Sequence, residues 1–342
     1  MKLLLNYPPV NCYLHHAYPL SVAMSHKDFD SWFLSNYIQM EFSHNHNTLN
    51  FFTYAICGNS IICPLLDYNI LDLEFLYKTY TNIIDFITKS IELGYYVTTY
   101  TDEFYIPQRV AYIRKIHFRH EIMIYGFDLN NEEFNVIGYD DKGNYTETLV
   151  SFSQFEASFL NSIKKTNDMI LFKPKDSESY NPFYEFDIEN VKSLLSEYLL
   201  SKNSSARFST IGNRNNSVYG ISIYNELIKY YEAILQDNGE LCSKKMFDFE
   251  DDCDIRHFHI LYEHKKAMVL RIEYLIKNNY LDSNNDFKNI FSNLENDAKN
   301  GRNSIIKYNI SKNKKLISAT IDNLHKMYET EKKAIEDLLA LL

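Results

Sequence analysis

From Asp187 to the end of the chain, apolar residues recur at helical spacing almost without a break, whereas the residues before it mix strand-like and helix-like patterns. This change of period constrains the fold most: an α+β N-terminal region and a mostly α-helical C-terminal one. Helices are expected over 187–201, 218–236, about 255–280, 283–300 and 302–342, with the Ser- and Asn-rich stretch Lys202 to Ser217 as a loop. With 342 residues the chain is long enough for two cores. The polar stretch Lys164 to Tyr184 holds two prolines, so the expected division is 1–165, a linker 166–186, and 187–342.

Within the first region, a helix is expected after Cys12, running to Met24. Residues 50–66 read as strand, turn at Gly58-Asn59, and strand, and 72–93 as a helix stopped by Gly94. Tyr95 to Thr101 is β-branched and aromatic, hence a strand. Phe118 to Phe127 and Glu133 to Tyr139, joined by Asp128-Leu129-Asn130-Asn131, form a β-hairpin. Val150-Ser151-Phe152-Ser153 leads into a helix, with Ser153 as N-cap and Glu156 three residues on.

A hydrophobic fraction of 45% can fill a sizeable core, and scarce Gly and Pro (9 and 7) argue against disorder. The net charge of −10 argues against nucleic acid and anionic membrane surfaces as partners, since both need clustered Lys and Arg. No run of about 18 apolar residues suggests a membrane span. Asn6, Pro8 and Pro9 end the apolar N-terminal run too early for a signal sequence, so a cytoplasmic location is expected. Five cysteines at irregular spacing, without a C-x-x-C, are not a disulfide framework.

A cysteine nucleophile needs a base to make thiolate, and the base needs a third group to hold its tautomer. Cys12 lies before an expected helix, after the helix-excluding Pro8-Pro9, where the helix dipole lowers a thiol pKa. His120 lies near the start of the hairpin's first strand. With the turn centred on Asn130, His120 opposes Asp140; a half-residue shift gives Asp141. On spacing alone each residue has a bland alternative: Cys12 a buried small hydrophobe, His120 structural, Asp140 a turn former.

Asn11-Cys12-Tyr13, Ser31 to Gln39, Gly94 to Val97 with Asp102 and Tyr105-Ile106-Pro107, and His117 to Asp128 together resemble the butirosin biosynthesis protein H family. Tyr219 to Tyr224 and His264 to Met268 are similar to segments of its longer members. The resemblance implies a papain-like cysteine-peptidase fold in the N-terminal domain, with an antiparallel sheet and a helix carrying the Cys. It implies acyl transfer from a carrier-protein thioester to an amine or alcohol in nonribosomal-peptide or polyketide-type antibiotic biosynthesis, with no cofactor. The partners are then an acyl carrier protein and a small-molecule acceptor. Cys12 is the implied nucleophile and His120 the base. The third position departs from the family: Gly138 stands where Asp is common, leaving Asp140 as the candidate orienter. No Gln precedes Cys12, so Asn6, Asn11 or the Cys12 N–H are the candidate oxyanion donors; Gln39 lies after the Cys, with no role assigned to it. A cysteine peptidase or amidase, or an inactive scaffold, are the alternatives.

Paired histidines at 15/16, 44/46 and 257/259 do not converge on a metal, and Cys253, His257 and His264 lack a completing ligand, so no metal is expected. His117 reads as a packing or supporting residue. The basic cluster Arg302, Lys307, Lys312, Lys314 and Lys315 reads as a solvated helix face, or else as a docking surface for an acidic carrier protein. The C-terminal Leu338 to Leu342 run reads as a helix end buried in the core or in a homodimer interface.

Overall fold

The computed structural model describes residues 1–53, 56–57, 60–61, 63–80, 82–162, 168–176, 184–211, 216–236 and 253–342. The chain is mixed α and β with antiparallel sheets and a helical C-terminal region. In order, the elements are α1 (Leu14–Ala23), α2 (Phe29–Asn36), β1 (Met40–Ser43), β2 (Thr48–Phe51), β3 (Ile56–Cys57), β4 (Ser60–Ile61), β5 (Leu66–Asp72), α3 (Leu73–Thr79), α4 (Ile83–Glu92), β6 (Tyr96–Asp102), α5 (Val110–Arg114), β7 (Arg119–Asp128), β8 (Glu133–Tyr139), β9 (Tyr145–Ser151), α6 (Phe152–Ser162) and β10 (Asp168–Pro174). There follow α7 (Ile188–Leu199), β11 (Ser217–Tyr219), α8 (Ile223–Leu235), α9 (Arg256–Lys277), α10 (Phe287–Ser311) and α11 (Lys314–Leu341).

The chain forms two units, Met1–Phe29 with Ala55–Phe183, and Asp30–Tyr54 with Tyr184–Leu342. The first is built on a six-stranded antiparallel sheet in the order β5-β10-β6-β7-β8-β9. Its register puts Leu171, Val97, Ile124 and Val136 directly opposite one another across four strands. Because strand side chains alternate in direction, this row and its neighbours make one apolar face, which packs against Ile87 and Ile91 of α4 and Phe155 and Phe159 of α6. α6 starts with a reciprocal cap, Ser151 Oγ accepting the Gln154 N–H and Gln154 Oε1 accepting the Ser151 N–H. The cap is therefore Ser151, two residues before the expected Ser153, and its S-x-x-Q spacing is the legible signal. β10 lies inside the stretch expected to be a linker and sits between β5 and β6. Its Met-Ile-Leu-Phe run, with Met169 and Phe172 fully buried, is strand core rather than connection. The expected helix over 72–93 is two, α3 and α4, each N-capped by its own side chain, Asp72 and Asn82. The Gly58-Asn59 turn lies outside the described residues.

The second unit takes in residues 30–54, which sequence patterning groups with the first region. The reason is on α9. His257, His264 and Arg271 recur every seven residues, so they share one helix face. His257 Nε2 donates to the Asn47 carbonyl (2.6 Å), His264 Nε2 to that of Ile38 (2.8 Å), and Arg271 to those of Leu34 and Tyr37 (2.7 Å each). β1 also pairs with β11 on one side and β2 on the other. The break expected at Gly301 falls instead at Lys312, in the left-handed conformation, with Asn313 capping α11. Gly301 is inside α10, where a Cβ would lie 2.2 Å from the Phe258 ring; the missing side chain lets α9 and α10 approach. No helix among the described residues is long and apolar enough to cross a membrane.

Candidate active site

Pro8-Pro9 disfavours helix ahead of Cys12, which is buried (4% exposed) two residues before α1. The first turn of α1 holds no acidic residue, so nothing there offsets the positive end of the helix dipole. Tyrosine hydroxyls link α1 and the residues ahead of it to the strands. The β7–β8 ladder stops at Met123 and Ile137, and beyond it Tyr18 of α1 reaches in to donate to the carbonyl of Glu121 (3.2 Å) or that of Ile137 (3.1 Å). Tyr139, the last residue of β8, donates its hydroxyl to the carbonyl of Asn11, the residue before Cys12. Cys12 is thereby tethered, through Asn11, at the end of the sheet where β7 begins and β6 and β8 finish.

His120 is the second residue of β7, directly opposite Thr101 of β6. Two residues past Thr101, on the same side of the chain, the Glu103 carboxylate accepts from His120 Nδ1 at 2.9 Å. The imidazole is 27% exposed and the carboxylate 10%, so the bond is half-sheltered from water. Alternation sends the intervening Asp102 the other way, to His117 Nδ1 at 2.6 Å. Asp102 also accepts the N–H groups of Phe104 and Phe118, and Phe104 stacks on the His117 ring at 4.4 Å between centroids. Two adjacent carboxylates at the end of β6 thus hold two imidazoles, and His117 is the more exposed, at 65%.

Asp140 does not meet His120. Its Oδ1 accepts the N–H groups of Lys142 and Asn144, and its Oδ2 the Asn144 side-chain amide. Partial desolvation works in the other direction, but these hydrogen bonds prevail and hold its carboxyl below the usual carboxylate value. Next to the turn the pairing is one step off the expected register, from Asp128 opposite Glu133 to Gly126 opposite Asn135, and a bulge between Ile124 and Gly126 brings it to Ile124 opposite Val136 and Met123 opposite Ile137; β8 then continues along β9 to Tyr139, and Asp140 becomes an Asx-turn residue. Asp141 is an exposed turn residue. The glycine at 138 also has a physical cause. Arg109, 2% exposed, donates from Nη1 to the Tyr139 carbonyl (2.6 Å), and a Cβ at position 138 would lie 2.9 Å from its Nη2. Space that a larger side chain would take is occupied by the guanidinium.

The carboxylate on His120 is not among the sequence candidates. Its signal was two consecutive acids, Asp102-Glu103, directly after an expected strand. Of the other candidates, Asn6 Nδ2 donates to the Ser21 carbonyl (3.3 Å). Gln39 belongs to the second unit, fully buried, where its Nε2 donates to Ser204 Oγ (2.7 Å) and its Oε1 accepts the Met40 N–H. Among the remaining thiols, burial pushes Cys63 up to about 12, which keeps it protonated and unreactive at neutral pH. Cys242 lies outside the described residues. His257 and His264, candidates for a metal, spend Nε2 on backbone carbonyls, and burial lowers the pKa of both. No group of three or more potential metal ligands occurs among the described residues. No protein-family model matches this chain, and no curated protein is significantly similar to it.

Proposed function

We propose that this chain is a cysteine-dependent acyl-transfer enzyme of papain-like arrangement, with Cys12 as nucleophile, His120 as base and Glu103 as the group that orients His120. The observation that carries the reading is the Glu103–His120 bond of 2.9 Å, at the sheet end where Tyr139 holds the peptide preceding Cys12. A carboxylate on Nδ1 fixes the tautomer, with the proton on Nδ1 and the basic lone pair on Nε2, the role that the third member of a triad performs. The substrate class follows the resemblance to the butirosin biosynthesis protein H family: an acyl thioester on a carrier protein and an amine or alcohol acceptor.

The chemistry balances without a cofactor. Cys12 gives its proton to His120 and attacks the thioester carbonyl; the C–S bond to the carrier breaks, and the carrier thiolate takes the proton from His120. The acceptor then attacks the Cys12 thioester, loses a proton to His120, and releases Cys12 as thiolate. An inactive scaffold is the second reading, and the burial of Cys12 favours it.

Alkylation of the intact protein with iodoacetamide, mapped by mass spectrometry against a His120→Ala variant, tests the proposal. The expected result is that Cys12 reacts much faster than the other thiols at about pH 6–7 and loses that advantage without His120. Equal reactivity of Cys12 and the remaining thiols, or indifference to His120, would sink it in favour of the scaffold.

A further inference from the structure

Tyr139 is not among the residues a cysteine mechanism requires, yet its hydroxyl is bonded to one atom of special position, the carbonyl oxygen of Asn11. That oxygen and the N–H of Cys12 belong to one planar trans peptide, so they point in opposite directions, and fixing one end fixes the direction of the other. A hydrogen bond to the carbonyl also polarises the amide and strengthens its N–H as a donor, by roughly 10–30% per bond. Resting on the reading of Cys12 as nucleophile, we propose that Tyr139 is a positioning residue. It clamps the Asn11–Cys12 peptide so that the Cys12 N–H faces the oxygen of the acyl group under attack.

The clamp is itself held. The Tyr139 carbonyl accepts Arg109 Nη1 at 2.6 Å. Its ring meets Tyr145 edge-on, at 5.8 Å between centroids and 63° between planes, and the two residues are directly opposed in the β8–β9 ladder. Tyr145 in turn lies within 3.3 Å of Ser21 of α1, the helix that follows Cys12. The peptide is therefore gripped from the sheet, and α1 is attached to the same grip about two turns along. Gly138 gives Arg109 the room to reach the Tyr139 carbonyl, so the missing side chain and the clamp form one arrangement.

Oxyanion stabilisation matters for attack on a carbonyl and not for displacement at a saturated carbon, which separates the two roles experimentally. The experiment compares parent and Tyr139→Phe in two reactions: alkylation of Cys12 by iodoacetamide, and acylation of Cys12 by S-acetyl-N-acetylcysteamine followed by intact-protein mass spectrometry. The expected result is an alkylation rate and pH profile within about twofold of the parent, and acylation slowed about 10- to 100-fold in its maximal rate with little change in half-saturation. Acylation within twofold of the parent, or a parallel loss of both reactions, would overturn the proposal while leaving Cys12 as nucleophile. A parent in which Cys12 is neither acylated nor selectively alkylated would overturn the underlying reading, and this one with it. Melting of the variant checks that the unit is intact.

Discussion

The helical unit contains a charge pair with no access to water, and breaking it gives a measurable prediction. Glu331 of α11 and Lys265 of α9 are both fully buried and 2.5 Å apart. Glu331 also accepts the hydroxyls of Tyr224 (2.8 Å) and Tyr198 (3.2 Å), and Lys265 donates to His264 Nδ1 (3.0 Å). Burial lowers the Lys265 pKa, and Glu331 opposes that. Glu331→Gln keeps the volume and an acceptor for the tyrosines but leaves the ammonium without a countercharge, which costs about 3–5 kcal/mol. At roughly 2–4 °C per kcal/mol for a domain of 150–250 residues, the transition of this unit should fall by about 6–20 °C in calorimetry of the full chain. The pH dependence has a definite sign. In the variant the folded-state pKa of Lys265 is depressed further below the ordinary lysine value. The unfolded chain therefore binds more protons, and the loss shrinks as pH rises through that window. Adding Lys265→Met should recover part of the loss, since it removes the unpaired charge. A Glu331→Gln variant that melts within about 2 °C of the parent at all pH values would refute the reasoning.

Further outcomes follow from the site. Glu103→Gln should slow acylation of Cys12 by about 10²–10⁴-fold by presenting the wrong hydrogen-bonding partner to His120, whereas Asp140→Asn should stay within about twofold, as measured in the same thioester assay. An effect of Asp140→Asn as large as that of Glu103→Gln would contradict the assignment. Gly138→Ala places a methyl 2.9 Å from the pinned Arg109 guanidinium and should cost about 1–3 kcal/mol in urea denaturation; a neutral effect would mean that Arg109 moves aside freely.

Local chemistry made much of this protein legible from sequence. The hairpin of β7 and β8 came from alternation flanking a polar turn, whereas the register expected from that turn is reached only past the bulge between Ile124 and Gly126. The long helices came from their apolar period, and the position of Cys12 ahead of α1 from two prolines and the pattern after them. These depend on neighbours within a few residues, which a sequence displays directly.

What depended on where chain segments meet was not legible. Extending the Met123–Ile137 register would set Asp140 opposite His120, but the β7–β8 pairing ends at Ile137, Asp140 turns its carboxylate into its own loop, and Glu103 from another strand end takes the place beside the imidazole. Residues 30–54 join the helical unit because three side chains of α9 seek their carbonyls, and β10 enters the middle of a sheet although polar residues surround it. The physical reason is common to all three. Period and propensity fix which face of an element is apolar, while the partner of a buried polar group is chosen by distance in space, and every buried donor and acceptor must find one.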